Sequence, residues 1–401
     1  MTLEQLVTEH RCCMRCLGRT QPSVGSLDLD SSLLQAKQFD DLLTSKTVPE
    51  TDCQICQGSV VKALQVADRL IKKLSDLEFD TFLVGCSLTN SLATSDQILS
   101  DYVNDYQDLK FEIRKEVGLR VVKTLEKEVD FQYPDIAVVI DTAKFRFDLD
   151  IRSLYILGRY KKLTRGLPQT KWPCSKCRGR GCASCNQTGQ QYPKTVETVI
   201  SPYFLEKCQA TDTAFHGAGR EDIDALMLGT GRPFVLELKN PAIRSIDLQE
   251  AMDIINQQDD VKISELRYCE KDVIAFIKES SPDSRKTYRA RIALDQPVEL
   301  PKLQQLNELH DLRLDQRTPH RVSHRRADLV RDKTIYQVTV SHLDPQYPEL
   351  EIEAQGGAYI KEFISGDEGR TVPSIASILD TPAVCTELDV VAVDDKGLFS
   401  A

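Results

Sequence analysis

The sequence predicts a mixed α+β protein with two or three domains. A chain of 401 residues is too long for one ordinary hydrophobic core. Hydrophobic residues make up 41% and charged residues 28% of it, a balance typical of a folded globular protein. Predicted helices and strands follow one another irregularly, which fits an α+β fold better than a repeated β-α-β unit.

The first part of the chain alternates helical and strand patterns. Apolar residues recur at helical spacing over 60–77 and 107–125. Short apolar runs predict strands at 81–84, 136–140 and 154–160. We therefore expect a lead segment over 1–60, an accessory domain over 60–170, and a cysteine-rich knuckle or linker over 171–190.

The remaining residues, 191–401, predict a separate domain with a mixed sheet. A helix over 196–208 is interrupted early by Pro202, and further helices are expected at 248–257 and 359–365. Strands are expected at 234–238, 262–268, 288–294, 335–341 and 350–353.

Eight of the 13 cysteines form four Cys-x-x-Cys pairs. The first two are Cys13/Cys16 and Cys53/Cys56. Two residues between thiolates let both reach one ion, and two such turns complete a tetrahedron. In a cytoplasmic protein this spacing predicts a closed, structural zinc site, with free thiols or a redox pair as the alternatives.

The other two pairs, Cys174/Cys177 and Cys182/Cys185, lie close together among glycines that permit tight turns. This segment resembles a repeat of the zinc module of J-domain chaperones. The gap between the pairs is short for a zinc ribbon. We expect a second zinc site here, and five other cysteines are expected to be small buried residues.

Charge and hydropathy exclude some classes of protein. No apolar run approaches the length of a membrane span, and the N-terminus has no signal-peptide core, so we expect a cytoplasmic protein. A net charge of -10 argues mildly against a nucleic-acid partner. Two basic segments, 144–171 and 313–333, could still contact RNA, although a solvated face is the alternative for each.

The stretch 216–234 is the strongest functional signal. Asp222 stands two residues after the pair Gly219-Arg220, on a glycine-rich loop that precedes a predicted strand. A carboxylate fixed beside a strand and next to an arginine can act as a nucleophile on a substrate carried by a polyanion. Taken alone, such an Asp can simply form a turn, and Glu221 and Asp224 compete for the role.

The stretches 216–224 and 229–234 resemble the catalytic loop of the archaeal and eukaryotic tRNA pseudouridine synthases of the Pus-ten type. Three further regions are similar to the same family, in the same order: 286–290, 316–328 and 356–370. The stretch 157–172 and the N-terminal cysteine pairs also fit. The resemblance therefore covers most of the chain.

The resemblance implies a THUMP-containing accessory domain over 60–170, which binds tRNA, ahead of a pseudouridine synthase catalytic domain over 191–401. It also implies a structural zinc and no catalytic metal or cofactor. The substrate implied is uridine in the TΨC arm of tRNA, at positions 54 and/or 55. The insert with the second cysteine pairs is associated with archaeal rather than animal members.

The same resemblance implies roles for five residues. Asp222 would be the catalytic nucleophile, and Lys361 the cation that keeps it charged. Tyr288 would stack on the flipped uracil near C5, and Tyr359 would line the same pocket; for both, an ordinary core aromatic is the alternative. Arg220 would fill the gap left by the everted base or clamp a phosphate, with a surface ion pair as the alternative.

The basic segment 313–331 is expected to be a mobile loop that grips the tRNA backbone. Its predicted RNA contacts are Arg317, Arg321, Arg325 and Arg326. We expect tRNA as the partner, no membrane, and a monomer.

Two other functions remain open at this point. Another THUMP-type tRNA-modifying enzyme would need a nucleotide or methyl-donor site, and the sequence has no glycine-rich fingerprint between a strand and a helix. A non-catalytic zinc protein that binds RNA would leave the Asp, Tyr and Lys motifs without a role.

Overall fold

The computed structural model describes residues 2–21, 30–324 and 327–400. The chain divides into two compact units. The first consists of Met1–Ser153 and Lys239–Ser245, and the second of Leu154–Leu238 and Ile246–Ala401.

The first unit combines short helices with a four-stranded sheet. Its elements are α1 (Leu3–Glu9), α2 (Met14–Gly18), α3 (Ser31–Ala36), α4 (Asp41–Thr44), α5 (Ser59–Leu74), β1 (Thr81–Ser87), α6 (Asn90–Asp96), α7 (Leu109–Leu125), β2 (Glu128–Val129), β3 (Ile136–Asp141) and β4 (Arg146–Ile151). The sheet order is β2-β1-β3-β4, with β1 parallel to both neighbours and β4 antiparallel to β3.

The core of this unit follows from the periodicity of its two long helices. In α5, Ala63, Val66, Ala67, Leu70 and Leu74 are fully buried, at the three- and four-residue spacing of one helical face. Asp108 begins α7 by accepting a hydrogen bond from the backbone N–H of Phe111. The helices expected at 60–77 and 107–125 therefore form, with ends shifted by no more than three residues.

The second unit is built on a larger sheet. Its elements are β5 (Leu154–Lys162), α8 (Val196–Lys207), β6 (Asp212–Gly217), β7 (Leu226–Lys239), α9 (Leu248–Ile255), β8 (Val261–Cys269), α10 (Asp272–Glu279), β9 (Arg285–Leu294), α11 (Leu300–Gln304), β10 (His310–Arg317), β11 (Val330–His342), β12 (Glu349–Gln355), α12 (Ile360–Ser365), β13 (Thr371–Val372), α13 (Ile375–Leu379) and β14 (Ala383–Val393).

Ten strands form one mixed sheet in the described part of this unit. The order is β13-β10-β11-β12-β9-β14-β7-β5-β8, and β6 pairs with β7 beside this path. The join between β14 and β7 is parallel, whereas β9 lies antiparallel to both β12 and β14. The predicted α+β class with a mixed second sheet is confirmed.

Strand β5 belongs to the second unit, whereas the sequence placed 154–160 at the end of the accessory domain. It pairs with β7 on one side and β8 on the other, and its residues from Tyr155 to Tyr160 are buried without alternation. Continuous burial is typical of a central strand covered on both faces. The boundary between compact units therefore falls before Leu154 rather than near residue 170.

Both ends of the segment expected to be a mobile basic loop lie in strands. Residues 313–317 lie in β10, and Val330 and Arg331 begin β11, which pairs antiparallel with it. The connection between them includes a short 3-10 turn, His320–Val322. In β10 exposed residues, among them Arg313 and Arg317, alternate with buried ones, so this part of the basic segment is the outward face of a strand. Among the described residues, no helix combines the length and apolarity that crossing a membrane requires.

Candidate active site

The loop between β6 and β7 carries Asp222. Gly219 takes a left-handed conformation with φ +80°, which the loop needs in order to turn back toward β7. The backbone N–H of Ala225 donates to the carbonyl oxygen of Asp222 at 3.1 Å and closes the turn. The loop carries three acidic residues, Glu221, Asp222 and Asp224, and their side chains lie in different environments.

The end of β5 and the segment that follows it hold the backbone of this loop in place. The ammonium group of Lys162, which is fully buried, donates to the carbonyl oxygens of Asp222 at 3.1 Å and Ile223 at 3.0 Å. The side-chain amide of Gln169 donates to the carbonyl oxygen of Gly219 at 3.0 Å. Arg165 donates to the carbonyl oxygen of Asp224 at 2.8 Å.

Glu221 points into the core and is paired there. Its carboxylate lies 2.9 Å from Nε of Arg232 and accepts a hydrogen bond from the hydroxyl of Tyr160 at 2.8 Å. The side chains of Glu221 and Arg232 are 1% and 2% exposed. A carboxylate in this position is structural, because its use in the reaction would require breaking a buried ion pair.

Asp222 points toward solvent and meets two cations. Its Oδ1 lies 3.1 Å from Nη1 of Arg321, and its Oδ2 lies 3.6 Å from Nζ of Lys361. Lys361 lies closer to Asp224, at 2.7 Å. Burial opposes ionisation of Asp224, but the hydrogen bond and the charge of Lys361 outweigh it and lower the pKa of that carboxyl.

A cavity of about 480 Å³ opens beside Asp222. Its lining includes Arg220, Tyr288, Tyr359, Lys361 and Arg321, which come from the loop, β9, the start of α12, α12 and the turn after β10. The sequence assigned the first four of these residues to the substrate site and Arg321 to the RNA contacts, and the structure brings all five to one cavity.

The two tyrosines are held in different ways. Burial raises the pKa of Tyr288 to about 12, an effect that Arg232 opposes and Asp222 and Glu221 reinforce. Tyr359 precedes α12, and the fully buried amide of Gln316 bonds both its backbone N–H at 2.9 Å and its carbonyl oxygen at 3.0 Å. Sequence reasoning missed Gln316, although it begins the motif 316–319.

Lys286 also lines the cavity and was not assigned a role. It is 6% exposed, and its ammonium group lies 3.1 Å from the hydroxyl of Ser281. Burial, then the charges of Arg232 and Lys333, lowers the pKa of Lys286 to about 7. Its position two residues before Tyr288 on β9 puts both side chains on one face of the strand.

The structure describes two of the four arginines predicted to contact RNA, and it places those two differently. Arg321 lines the cavity and bonds the buried Glu362 at 2.6 Å as well as Asp222. Arg317 lies outside the cavity lining and forms a two-pronged ion pair with Asp328 at 2.7–3.0 Å. Arg325 and Arg326 lie outside the described residues.

Part of the basic segment 144–171 is not available to RNA. Lys162 is fully buried, and Arg159 is 6% exposed with Nε 3.1 Å from Glu265. The aromatic Tyr160 is buried as well. These residues support the loop and the sheet, which is why the segment is both basic and rich in aromatic residues.

Arg220 has an aromatic partner. Its guanidinium lies 5.3 Å from the ring centroid of Trp172, the only tryptophan in the chain. Among the described residues, no carboxylate lies within ion-pair distance of Arg220. The predicted alternative, a surface ion pair, is therefore absent from this part of the chain, and a cation–π contact takes its place.

Each group of four predicted cysteine ligands comes together. Sulfur atoms of Cys13, Cys16, Cys53 and Cys56, in the first unit, lie within 4.8 Å of one another, as do those of Cys174, Cys177, Cys182 and Cys185, in the second. Zn–S bonds of about 2.3 Å in a tetrahedron place sulfur atoms roughly 3.8 Å apart. The distances Cys13–Cys56, at 3.7 Å, and Cys177–Cys185, at 3.8 Å, fit that geometry, so both clusters could bind zinc.

Two family models match the chain. The model "Pus10, C-terminal" matches residues 155–394, and the model "Pus10 THUMP domain, archaeal" matches residues 66–141. The chain belongs to the Pus10 family. Both matches fall within the compact units described above, one in each, apart from the short crossover 239–245.

Relatives named tRNA pseudouridine synthase Pus10 resemble this chain over nearly its whole length. One from Methanothermobacter marburgensis is 41% identical over 97% of this chain and 96% of its own. One from Methanocaldococcus jannaschii is 41% identical over 93% and 82% of the two chains. One from Archaeoglobus fulgidus is 39% identical over 85% and 94%. The predicted Pus10 resemblance is confirmed, and with it the THUMP domain ahead of the catalytic domain.

Proposed function

We propose that this chain isomerises uridine to pseudouridine in tRNA and that Asp222 is the nucleophile. One observation carries the proposal: the carboxylate of Asp222 is ion-paired with Arg321 and Lys361 at the edge of a cavity that Tyr288 and Tyr359 also line. Membership of the Pus10 family supports the reaction class.

The reaction is an isomerisation that needs no net oxidant or reductant. The bond between ribose C1′ and uracil N1 breaks, and a bond between C1′ and C5 forms. C5 loses its proton, and N1 gains one. A carboxylate can serve as the transient partner of the sugar or the base, so the residues of the cavity suffice and we propose no catalytic cofactor.

The charges of the cavity favour a polyanionic substrate. Six side chains that are cationic at neutral pH line it, against the two carboxylates Glu221 and Asp222. The cations are Arg220, Arg232, Arg321, Arg331, Lys333 and Lys361; Lys286, whose pKa is lowered to about 7, also lines the cavity. Excess positive charge at the site compensates for the net charge of -10 of the whole chain, because only the contact face must attract RNA.

Tyr288 is proposed to stack on the extruded uracil. A tyrosine whose pKa is about 12 keeps its hydroxyl proton at neutral pH. Stacking and hydrogen-bond donation are therefore favoured over removal of the C5 proton by a tyrosinate. Unstacking a base costs a few kcal/mol, and contacts of this kind with Arg220 and Tyr359 offset that cost.

Both cysteine clusters are proposed to hold structural zinc. Four thiolates close the tetrahedron and leave no position for substrate, so the ions would stabilise the fold rather than take part in the reaction. The first unit, which contains the THUMP match, is proposed to bind tRNA, with the protein acting as a monomer in the cytoplasm.

Tritium release from C5-labelled uridine in a tRNA transcript tests the reaction. We expect Asp222→Asn to bind the transcript normally and to release no tritium. Asp224→Asn is the matched control, since it alters a neighbouring carboxylate of the same loop that also pairs with Lys361. Turnover by the Asp222 variant at the rate of the Asp224 variant would exclude Asp222 as the nucleophile.

Transcript variants test the substrate position. We propose the TΨC arm, at position 54, 55 or both. Replacing each uridine by cytidine in turn should abolish release from that position alone. Release that persists after both replacements would place the substrate elsewhere in the tRNA.

A further inference from the structure

We propose that the second cysteine cluster, when it holds its metal ion, fixes Trp172 and thereby positions Arg220 at the cavity. Trp172 is the positioning residue in this inference. The proposal links a structural metal site to the substrate cavity through contacts within the second unit.

The first step is the contact between Trp172 and Arg220. The guanidinium stands 5.3 Å from the indole centroid. Arg220 is exposed and, among the described residues, has no ion pair that would otherwise hold it. The indole face therefore restricts a side chain that would otherwise have many rotamers, and a cation–π contact favours one of them.

The second step is the connection from Trp172 to the cluster. Trp172 is followed at once by Pro173, which bridges to Gln190 across the base of the knuckle, and by the ligand Cys174. The carbonyl oxygen of Trp172 accepts from the backbone N–H of Gln191 at 2.8 Å. The backbone N–H of Cys174 donates to Gly189 at 2.7 Å. Trp172 thus forms the base of the knuckle.

The third step is the tightness of the knuckle itself. Gly189 has φ +71°, and a Cβ there would lie 2.3 Å from the carbonyl oxygen of Gly179. The backbone N–H of Gly189 donates to the sulfur of Cys185 at 3.2 Å. The segment that returns to Trp172 is therefore bonded directly to a sulfur that would bind the metal. A metal ion on the four sulfurs would hold both ends of the knuckle in register.

The base of the knuckle is fastened to the part of the unit that supports the active-site loop. The backbone N–H of Lys171 donates to the carboxylate of Glu197 at 3.1 Å, and the N–H groups of Val196 and Glu197 donate to Pro168 and Gln169. Gln169 in turn holds Gly219, one residue before Arg220. Loss of the metal should therefore loosen Trp172 first and leave the sheet intact.

Because Trp172 is the only tryptophan, its fluorescence reports on this position alone. We expect the paired substitutions Cys177→Ser and Cys185→Ser to lower the zinc content by one ion per chain. In the full chain without RNA, they should also shift the Trp172 emission to the red and raise its quenching by acrylamide. Cys13→Ser with Cys16→Ser is the matched control: it empties the first cluster and should leave the Trp172 emission unchanged.

An unchanged emission and quenching in the variant with one zinc fewer would overturn the proposal. If the cysteine variant no longer unfolds cooperatively in urea, the native chain is titrated with a chelator instead, and the emission of Trp172 is followed. A red shift on chelation that added zinc reverses supports the proposal, and an emission that does not follow the metal contradicts it.

The effect on RNA is tested by a double-mutant cycle, and this part rests on the proposed function. We expect Trp172→Ala to weaken tRNA binding about two- to fivefold, while Trp172→Phe restores it. In an Arg220→Ala background, Trp172→Ala should have no further effect. Additive losses would contradict positioning through Arg220. The fluorescence experiment uses no RNA, so its failure would leave the proposed reaction untouched.

Discussion

Arg321 lies closer to the Asp222 carboxylate than Lys361 does, at 3.1 Å against 3.6 Å. The sequence assigned the charge-stabilising role to Lys361 alone. In the structure Lys361 is shared with Asp224, and Arg321 bridges Asp222 to the buried Glu362. Two cations from different elements therefore fix the proposed nucleophile.

We expect Arg321→Gln to lower the single-turnover rate of tritium release roughly 10- to 100-fold, since a hydrogen bond to a charged group contributes about 1.5–3 kcal/mol. Arg317→Gln is the control, because it removes an arginine of the same region that pairs with Asp328 outside the cavity. Equal rates for the two variants would show that the contact with Asp222 has no catalytic effect. Glu362→Gln should be measured beside them, to separate the loss of the second ion pair.

The three carboxylates of the loop should respond differently to neutralisation. Glu221→Gln leaves the buried Arg232 without its charge partner, so we expect it to lower the free energy of unfolding by about 3–5 kcal/mol. Asp224→Asn removes an ion pair of a side chain that is 66% exposed, which contributes about 0–1 kcal/mol. Asp222→Asn should abolish turnover with little change in stability. Urea unfolding and tritium release together distinguish the three variants. A Glu221 variant that is stable but inactive would contradict the structural role of Glu221 and favour it over Asp222 as the catalytic carboxylate.

Lys286 should make stability depend on pH. In the folded chain the pKa of Lys286 is about 7, whereas in the unfolded chain it has the ordinary lysine value of about 10.4. Between these two pH values the amine is mostly protonated in the unfolded chain and mostly neutral in the folded chain. The neutral amine therefore stabilises the fold most above the unfolded pKa, and this contribution is lost as the pH falls through about 7. Relative to Lys286→Met, the wild-type chain should gain stability from pH 7 upward. A difference that stays constant with pH would show that the amine is not desolvated.

The first cysteine cluster should be needed for the fold of the first unit. We expect Cys53→Ser to remove one zinc per chain, to destabilise that unit and to weaken tRNA binding, because structural zinc contributes roughly 10–16 kcal/mol of apparent binding energy. Turnover at saturating tRNA should be less affected. Cys86→Ser is the control, as it alters another buried cysteine of this unit. Full metal content in the Cys53 variant would contradict the assignment.

Local sequence patterns predicted the long elements well. The helix expected at 60–77 is α5, because one apolar face repeats through four turns. The first half of β7 was missed, since Gly229 and Gly231 look like turn residues. Both have positive φ within the strand, and a Cβ on Gly229 would lie 1.7 Å from the carbonyl oxygen of Val391 on β14. The glycines thus permit strand pairing that no local pattern reveals.

The candidate site was predicted through its motifs, and its supports were not. Asp222, Tyr288 and Lys361 carry chemistry that a sequence can suggest. The groups that hold the site in place do so through hydrogen bonds to distant backbone atoms. Lys162 bonds the carbonyl oxygen of Asp222, 60 residues away in the chain, and Gln316 bonds that of Tyr359, 43 residues away. Such contacts depend on the fold, and a buried lysine has the same sequence signature as a surface one.

Strand β14 occupies a central place in the large sheet, between β9 and β7, and its residues Leu388 and Val390 line the cavity. The neighbouring strands are synthesised long before it. While the chain is still attached to the ribosome, one wall of the cavity is missing until residue 393 has emerged. The substrate cavity should therefore be complete only after β14 has paired with both of its neighbours.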